Sequence, residues 1–228
     1  MTHLQYIRVY KMSDLDLLNE RLSLYISSLT SDNSEFTEAL GREARGRGVP
    51  VIRRESEGFL KMLLKLKNPS RILEIGTAYG YSTLIMAENT ISDCRITTIE
   101  IGEQDAAKAK AAFESAGFGD RIELIVGDAA DVIPELTGRY DFVFLDASKG
   151  QYMKFFNAVR GLLTPGGVIL SDNVLQGGDV LKSHFIIEQR DRTVHRRMRD
   201  FLFAITHDEE FVTSIVPVGD GMAVSVLQ

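Results

Sequence analysis

The chain has 228 residues, 44% of them hydrophobic and 25% charged, with a formal net charge of −6. That composition supports a full core and argues against disorder, and the length fits one large α/β domain. The acidic balance argues against wholesale nucleic-acid binding while leaving room for a local basic face, and a single cysteine, Cys94, excludes an internal disulfide or a cysteine-built metal cage.

No apolar run reaches the length of a membrane span. The N-terminus lacks the apolar core and cleavage site of a signal peptide, which predicts a cytoplasmic protein. Met12 is a second candidate start, with residues 1–11 as a tail. Residues 15–29 place Leu18, Leu22, Tyr25, Ile26 and Leu29 at helical spacing, with Ser13 or Asp14 as cap. A second helix is expected over 34–47, and Gly48-Val49-Pro50 breaks it. A third runs over 56–66, with Phe59, Leu60, Leu63 and Leu64 on one face, and Asn68-Pro69 stops it. These helices form an N-terminal cap, residues 1–68, on a core spanning 69–228 of a single domain.

From Arg71 the pattern alternates strand and helix. Strands are expected at 71–76, 95–100, 121–126, 141–146 and 168–172, and helices at 82–89, 104–116, 130–136, 153–163 and 193–206. That alternation predicts a doubly wound parallel sheet. Cys94 falls in a polar turn and reads as an incidental thiol. The end differs: 211–218 and 222–227 flank Gly219-Asp220-Gly221 and read as a hairpin, which makes the last strand antiparallel. The fold class is α/β: a Rossmann-like seven-stranded sheet, mostly parallel with an antiparallel last strand, plus the helical cap.

Two strand tips carry candidate chemistry. In the first, Phe142, Val143, Phe144 and Leu145 run into Asp146, and Lys149 follows three residues later. In the second, Val168-Ile169-Leu170-Ser171 ends on Asp172-Asn173. The first strand of the core runs into Glu74-Ile75-Gly76-Thr77-Ala78-Tyr79-Gly80-Tyr81-Ser82. A dinucleotide fingerprint needs a middle glycine where Ala78 stands, which weakens a dehydrogenase reading. Glu100 ends the next strand, where a carboxylate can accept two hydrogen bonds from ribose hydroxyls. The third strand ends at Gly127-Asp128-Ala129, where an acid can meet an adenine amino group.

Glu-x-Gly-x-x-x-Gly, the acid after the second strand, Gly-Asp-Ala after the third and the terminal hairpin together resemble the class I S-adenosylmethionine-dependent methyltransferases. Within them the chain is most similar to the catechol O-methyltransferase-like group, which includes the caffeoyl-CoA enzymes. The resemblance covers residues 19–226. It implies S-adenosylmethionine as cofactor, held by Glu74, Gly76, Gly80 and Ser82 of the loop, by Glu100, Asp128, Ala129 and Asp146 at later tips, and by Ile52 of the cap. It also implies a divalent cation, Mg²⁺ by expectation, on Asp146, Asp172 and Asn173. Two carboxylates and an amide oxygen are hard ligands that suit Mg²⁺, Ca²⁺ or Mn²⁺ rather than zinc. Asp146 and Lys149 are the catalytic candidates. A free lysine has a pKa of about 10.4 and is mostly cationic, and a neighbouring dication would favour its neutral form. A lysine that only steadies developing charge, or a solvated loop lysine, are the other readings.

The basic charge is clustered. Residues 41–54 carry five arginines against Glu43, and residues 182–199 carry six basic residues against Glu188 and Asp191, each a local net of +4. Two solvated helical faces would explain this. A phosphate-bearing substrate such as RNA or a CoA ester would also explain it, with Arg53, Arg54, Arg196 and Arg197 as contacts. The stretches LDASKGQY, ILSDNVL and PVGDGMA resemble the bacterial tRNA 5-hydroxyuridine methyltransferases, which implies tRNA as substrate and 5-methoxyuridine as product at the wobble position. 5-Hydroxyuracil carries a hydroxyl beside a carbonyl, as a catechol carries two hydroxyls, and an anticodon base is single-stranded and accessible. A small-molecule O-methyltransferase acting on a vicinal-oxygen aromatic or a CoA ester is the alternative. A non-catalytic donor-binding or RNA-interaction module is the alternative of another class. By analogy the protein is expected to form a homodimer.

Overall fold

The computed structural model describes residues 12–182 and 187–228, and side chains from Arg21 onward. The candidate caps Ser13 and Asp14 and the Leu18 side chain lie outside the described side chains, and residues 1–11 outside the described backbone. Parallel strands β1 (Arg71–Ile75), β2 (Arg95–Glu100), β3 (Ile122–Val126), β4 (Tyr140–Leu145) and β5 (Leu163–Ser171) are joined through helices. They are followed by the hairpin β6 (Phe211–Val216) and β7 (Met222–Leu227). The sheet order is β3-β2-β1-β4-β5-β7-β6, and β7 runs antiparallel to both its neighbours.

The strands are apolar runs because helices cover both faces of the sheet. In β4 the pleat sends Phe142 and Phe144 to one core and Val143 and Leu145 to the other. The first core contains Leu60 and Leu64 of α3 (Arg54–Lys67) and Leu84 and Ile85 of α4 (Tyr81–Glu88). The second contains Phe155 and Phe156 of α7 (Tyr152–Arg160) and Phe201 of α8 (Arg192–Thr206).

Chain order reverses between β1 and β4, so a crevice opens at the carboxyl ends of these two neighbouring strands. Over this edge sits the cap of α1 (Met12–Leu29), α2 (Glu35–Gly46) and α3. Ser34 caps α2 by accepting from the Thr37 N–H at 3.2 Å. Asn68 ends α3 in the left-handed region at φ 47°. The Ser34 and Thr37 hydroxyls each donate to Glu88 of α4 at 2.6 Å, which fastens the cap to the core.

Three local expectations are corrected. β5 begins at Leu163, because that residue pairs with Tyr140 and the strand tolerates a register irregularity around Pro165-Gly166-Gly167. α7 therefore ends at Arg160 rather than continuing to 163. The helix expected over 130–136 is one turn, α6 (Ala129–Val132), which tightens into a 3-10 turn where Pro134 removes a donor. α5 (Glu103–Ser115) matches expectation within a residue. Cys94 directly follows the turn at 92–93, packs fully buried in the first core, and burial pushes its pKa up. Among the described residues no helix is long and apolar enough to cross a membrane.

Candidate active site

A cavity of about 580 Å³ occupies the crevice at the carboxyl ends of the parallel strands. Its wall brings together Ile52, Gly76, Ser82, Glu100, Asp128, Ala129, Asp146, Lys149 and Asn173, all singled out in the sequence. Glu74, Gly80 and Asp172 stand behind that wall. Each has a structural explanation.

Gly76 sits at φ 99°, and a Cβ there would collide with the Asp146 carbonyl oxygen. The glycine lets the ends of β1 and β4 approach, and the Asp146 N–H donates to Ile75 O at 3.0 Å. Ala78 takes the left-handed conformation, φ 46°, that a glycine would adopt freely. Its N–H donates to one Glu100 carboxylate oxygen at 2.7 Å, and the Gly102 N–H donates to the other at 2.8 Å. These two bonds fix Glu100 while leaving lone pairs that can accept from ribose hydroxyls. Gly80 (φ 84°) starts α4, and a Cβ there would meet Phe113; its contribution is to the turn, not the wall.

Glu74 is fully buried and accepts from Ser82 Oγ and Thr98 Oγ1, both at 2.6 Å, and from the Thr83 hydroxyl. Burial pushes its pKa up to about 7, against the lowering effect of those three donors. Glu74 thus organises the loop from behind the cavity wall. Asp128 caps α6 by accepting from the Ala130 N–H at 2.8 Å.

At the acid tips, Asn173 Nδ2 donates to Asp146 Oδ1 at 3.2 Å, and the Asn173 N–H donates to Asp172 Oδ1 at 2.7 Å. Tyr152 Oη donates to the Asp172 carbonyl at 2.9 Å, which holds the second tip against α7. Asn173 adopts φ 58°, a left-handed conformation that asparagine tolerates. Burial pushes Asp172 up to about 8, and the nearby Asp146 carboxylate adds to the rise. Asp146 is raised by burial, while Asn173 and Lys149 oppose that rise. Two mutually repelling carboxylates beside an amide fit a hard cation, which would relieve the repulsion and take the amide by its oxygen. Among the described residues no cluster of three or more His, Cys, Asp or Glu side chains offers another metal cage. Lys149 opens a 3-10 turn, Lys149–Gln151, on the same wall.

The arginines separate. Arg54 is enclosed by Asp32, Glu38 (2.5 Å) and Glu57 (2.9 Å) inside the cap, where its charge is already balanced. Asp32 and Glu38 reach it from 22 and 16 positions away, and Glu57 from the next turn of the same helix. Arg53 pairs with Asp220 at 2.9 Å, Arg47 with Glu43 at 3.2 Å and Lys182 with Asp179 at 2.7 Å. Arg197 donates to the Gly150 carbonyl at 3.3 Å, beside Lys149, and Arg196 is exposed on the same helix.

Some wall residues were missed: Val51, Tyr79, Tyr81, Gln151 and Phe155. Tyr81 donates to Glu57 Oε1 at 2.7 Å and lies under the Arg45 guanidinium, 5.4 Å from its ring centre. The two tyrosines flanking Gly80 were the available signal.

An open α/β sheet with a glycine loop after β1, an acid ending β2 and acid tips after β4 and β5 is the arrangement of the class I S-adenosylmethionine-dependent methyltransferase group. Residues 28–227 match the O-methyltransferase family. The chain is 31% identical over 219 residues to a catechol O-methyltransferase of Niastella koreensis, covering 92% of this chain and 97% of that one. It is 33% identical over 174 residues to a caffeoyl-CoA O-methyltransferase of Nicotiana tabacum, covering 72% and 71%. The fold superposes on an SAH-bound methyltransferase of Podospora anserina with TM-score 0.84 at 26% identity, covering 93% and 96%. The chain belongs to the O-methyltransferase family, and it is an S-adenosylmethionine-dependent enzyme.

Proposed function

We propose that this enzyme methylates one hydroxyl of a small aromatic with two vicinal oxygens, assisted by a divalent cation, Mg²⁺, on Asp146, Asp172 and Asn173. The observation that carries this reading is the convergence of Asp146, Asn173 and Lys149 on the wall of the donor cavity. The relative named as a catechol O-methyltransferase, matched along nearly its whole length, supports the acceptor class.

S-adenosylmethionine supplies a methyl group on a sulfonium: the acceptor oxygen's lone pair forms the new O–C bond, and the C–S pair returns to sulfur. The cation, when bound, lowers the pKa of the acceptor hydroxyl and orients both vicinal oxygens. Glu100, Asp128 and the Gly76–Ala78 turn hold the donor, with Ile52 closing the cavity from the cap. Lys149 Nζ takes the hydroxyl proton and passes it to solvent. Val51, Ile52 and Phe155 keep water from the sulfonium and fix the acceptor ring close and aligned. The lone, buried Cys94 fits a reducing compartment, and we place the enzyme in the cytoplasm. Leu22, Tyr25, Ile26 and Leu29 expose apolar surface along α1 that suits a second copy of the chain.

A second acceptor, 5-hydroxyuridine at the tRNA wobble position, is favoured by one observation: Arg197 meets Gly150 next to Lys149, with Arg196 exposed beside it. A side-by-side assay with catechol and with hydroxyuridine-containing tRNA tests the two. Turnover of tRNA that falls steeply with salt and with Arg196→Ala or Arg197→Ala supports the RNA reading. Turnover of catechol alone supports the small-molecule reading.

A further inference from the structure

Two of the segments that bound the cavity are far apart in sequence. One is the cap strip Pro50-Val51-Ile52, which lines the wall directly. The other is the second acid tip, where Asn173 lines the wall and Asp172 stands behind it. The turn between β6 and β7 lies between them. The Val174 N–H donates to Gly221 O and the Leu175 N–H donates to Asp220 O, both at 2.9 Å. The residues directly after Asn173 are therefore fastened to this turn. Gly221 (φ 85°) leaves its Cβ position to the Leu175 side chain, and Gly219 (φ 58°) leaves its own to Ser56 of α3. The turn is wedged between the tip and the cap, and any side chain at either glycine would push them apart.

One polar link completes the chain of contacts. Arg53 directly follows Ile52 and pairs with Asp220 at 2.9 Å, with the two side chains 53% and 21% exposed. We propose that Arg53 and Asp220 form a positioning pair: through the turn they set the spacing between the apolar cap wall and Asn173, and so the fit of the acceptor. This rests on the methyl-transfer reading of the cavity. A pair this exposed adds little to global stability, so its loss is felt locally.

Hydrogen exchange on the full chain with S-adenosylmethionine bound, in Arg53→Gln and Asp220→Asn, tests the pair directly. The Val174 and Leu175 amides are expected to exchange about fivefold faster, with Ala78 and Gly102 on the donor side unchanged. In the same variants KM for catechol rises about fivefold while kcat and donor Kd stay within about twofold. The charge-reversed double variant, Arg53→Asp with Asp220→Arg, recovers most of both effects. Unchanged exchange at Val174 and Leu175, or equal acceleration at Ala78 and Gly102, overturns the proposal. Arg160→Ala, which removes an ion pair with Asp208 remote from the cavity, controls for a general effect of losing a pair. If the wild-type chain methylates no vicinal-oxygen aromatic, the functional reading fails, and the exchange measurement still decides the pair.

Discussion

Asn173 donates its side-chain N–H to the Asp146 carboxylate at 3.2 Å, joining the tips of two neighbouring parallel strands whose residues lie 27 positions apart. The contact brings Asp146 and Asn173 together on the wall of the donor cavity, with Asp172 directly behind them. Burial raises the pKa of both Asp146 and Asp172, and the nearby Asp146 carboxylate adds to the rise at Asp172.

The burial of Asp172 has a pH signature. Asp172 keeps its proton in the folded chain up to about pH 8, whereas the unfolded chain releases it near its ordinary value of 3.8. The folded state binds more protons between those values, so without metal this group's contribution is lost as pH rises through that window. Mg²⁺ held by the proposed ligands would oppose the loss. Urea unfolding is expected to show a larger Mg²⁺ stabilisation at pH 8.5 than at pH 5, and Asp172→Asn is expected to flatten the metal-free profile. A larger metal effect at pH 5 contradicts the assignment.

Lys149 is separated from a mere positive charge by a pair of substitutions. Lys149→Ala is expected to lower kcat by about 100-fold or more, with donor Kd within about threefold. Lys149→Arg keeps the charge but cannot give up a proton, so it restores little. Full activity in the arginine variant, read by steady-state kinetics, shows that charge alone is needed.

Glu74 holds the donor loop through three hydroxyls. Glu74→Ala orphans those buried groups and is expected to cost about 2–3 kcal/mol in denaturant unfolding. Glu74→Gln keeps an accepting oxygen. Because burial holds the wild-type acid up at about 7, the glutamine variant should gain on wild type as pH rises from 5 to 8. A stability difference that does not change with pH would show that Glu74 does not titrate there.

Ala78 takes a positive φ in a loop where its N–H, not its side chain, holds Glu100. Ala78→Gly relieves that conformation and is expected to stabilise the fold by about 0.5–1 kcal/mol, with donor affinity retained. A lowered urea midpoint would contradict this.

Strand order and the acid-ended tips were legible because apolar runs of strand length closed by Asp146, Glu100 and Asp172-Asn173 survive in local sequence. The donor loop was legible in Gly76, whose backbone no other residue fits. The direction in which an acid points was not. Glu74 and Asp172 are spelled like their neighbours, yet both lie behind the wall, Glu74 satisfied by Thr98 of the next strand and Asp172 by the N–H of Asn173 on its own tip. Arg54 read as a free cation because Asp32, Glu38 and Glu57 reach it only once the cap folds. Asp220 read as turn chemistry, and only the packed hairpin shows it meeting Arg53.

The most direct test of the metal-assisted methyl transfer follows the methyl group of S-adenosylmethionine onto catechol, with and without a chelator. The account predicts transfer with Mg²⁺, loss in chelator, recovery when Mg²⁺ is returned, and no transfer by Asp146→Ala. Undiminished transfer in chelator would contradict it.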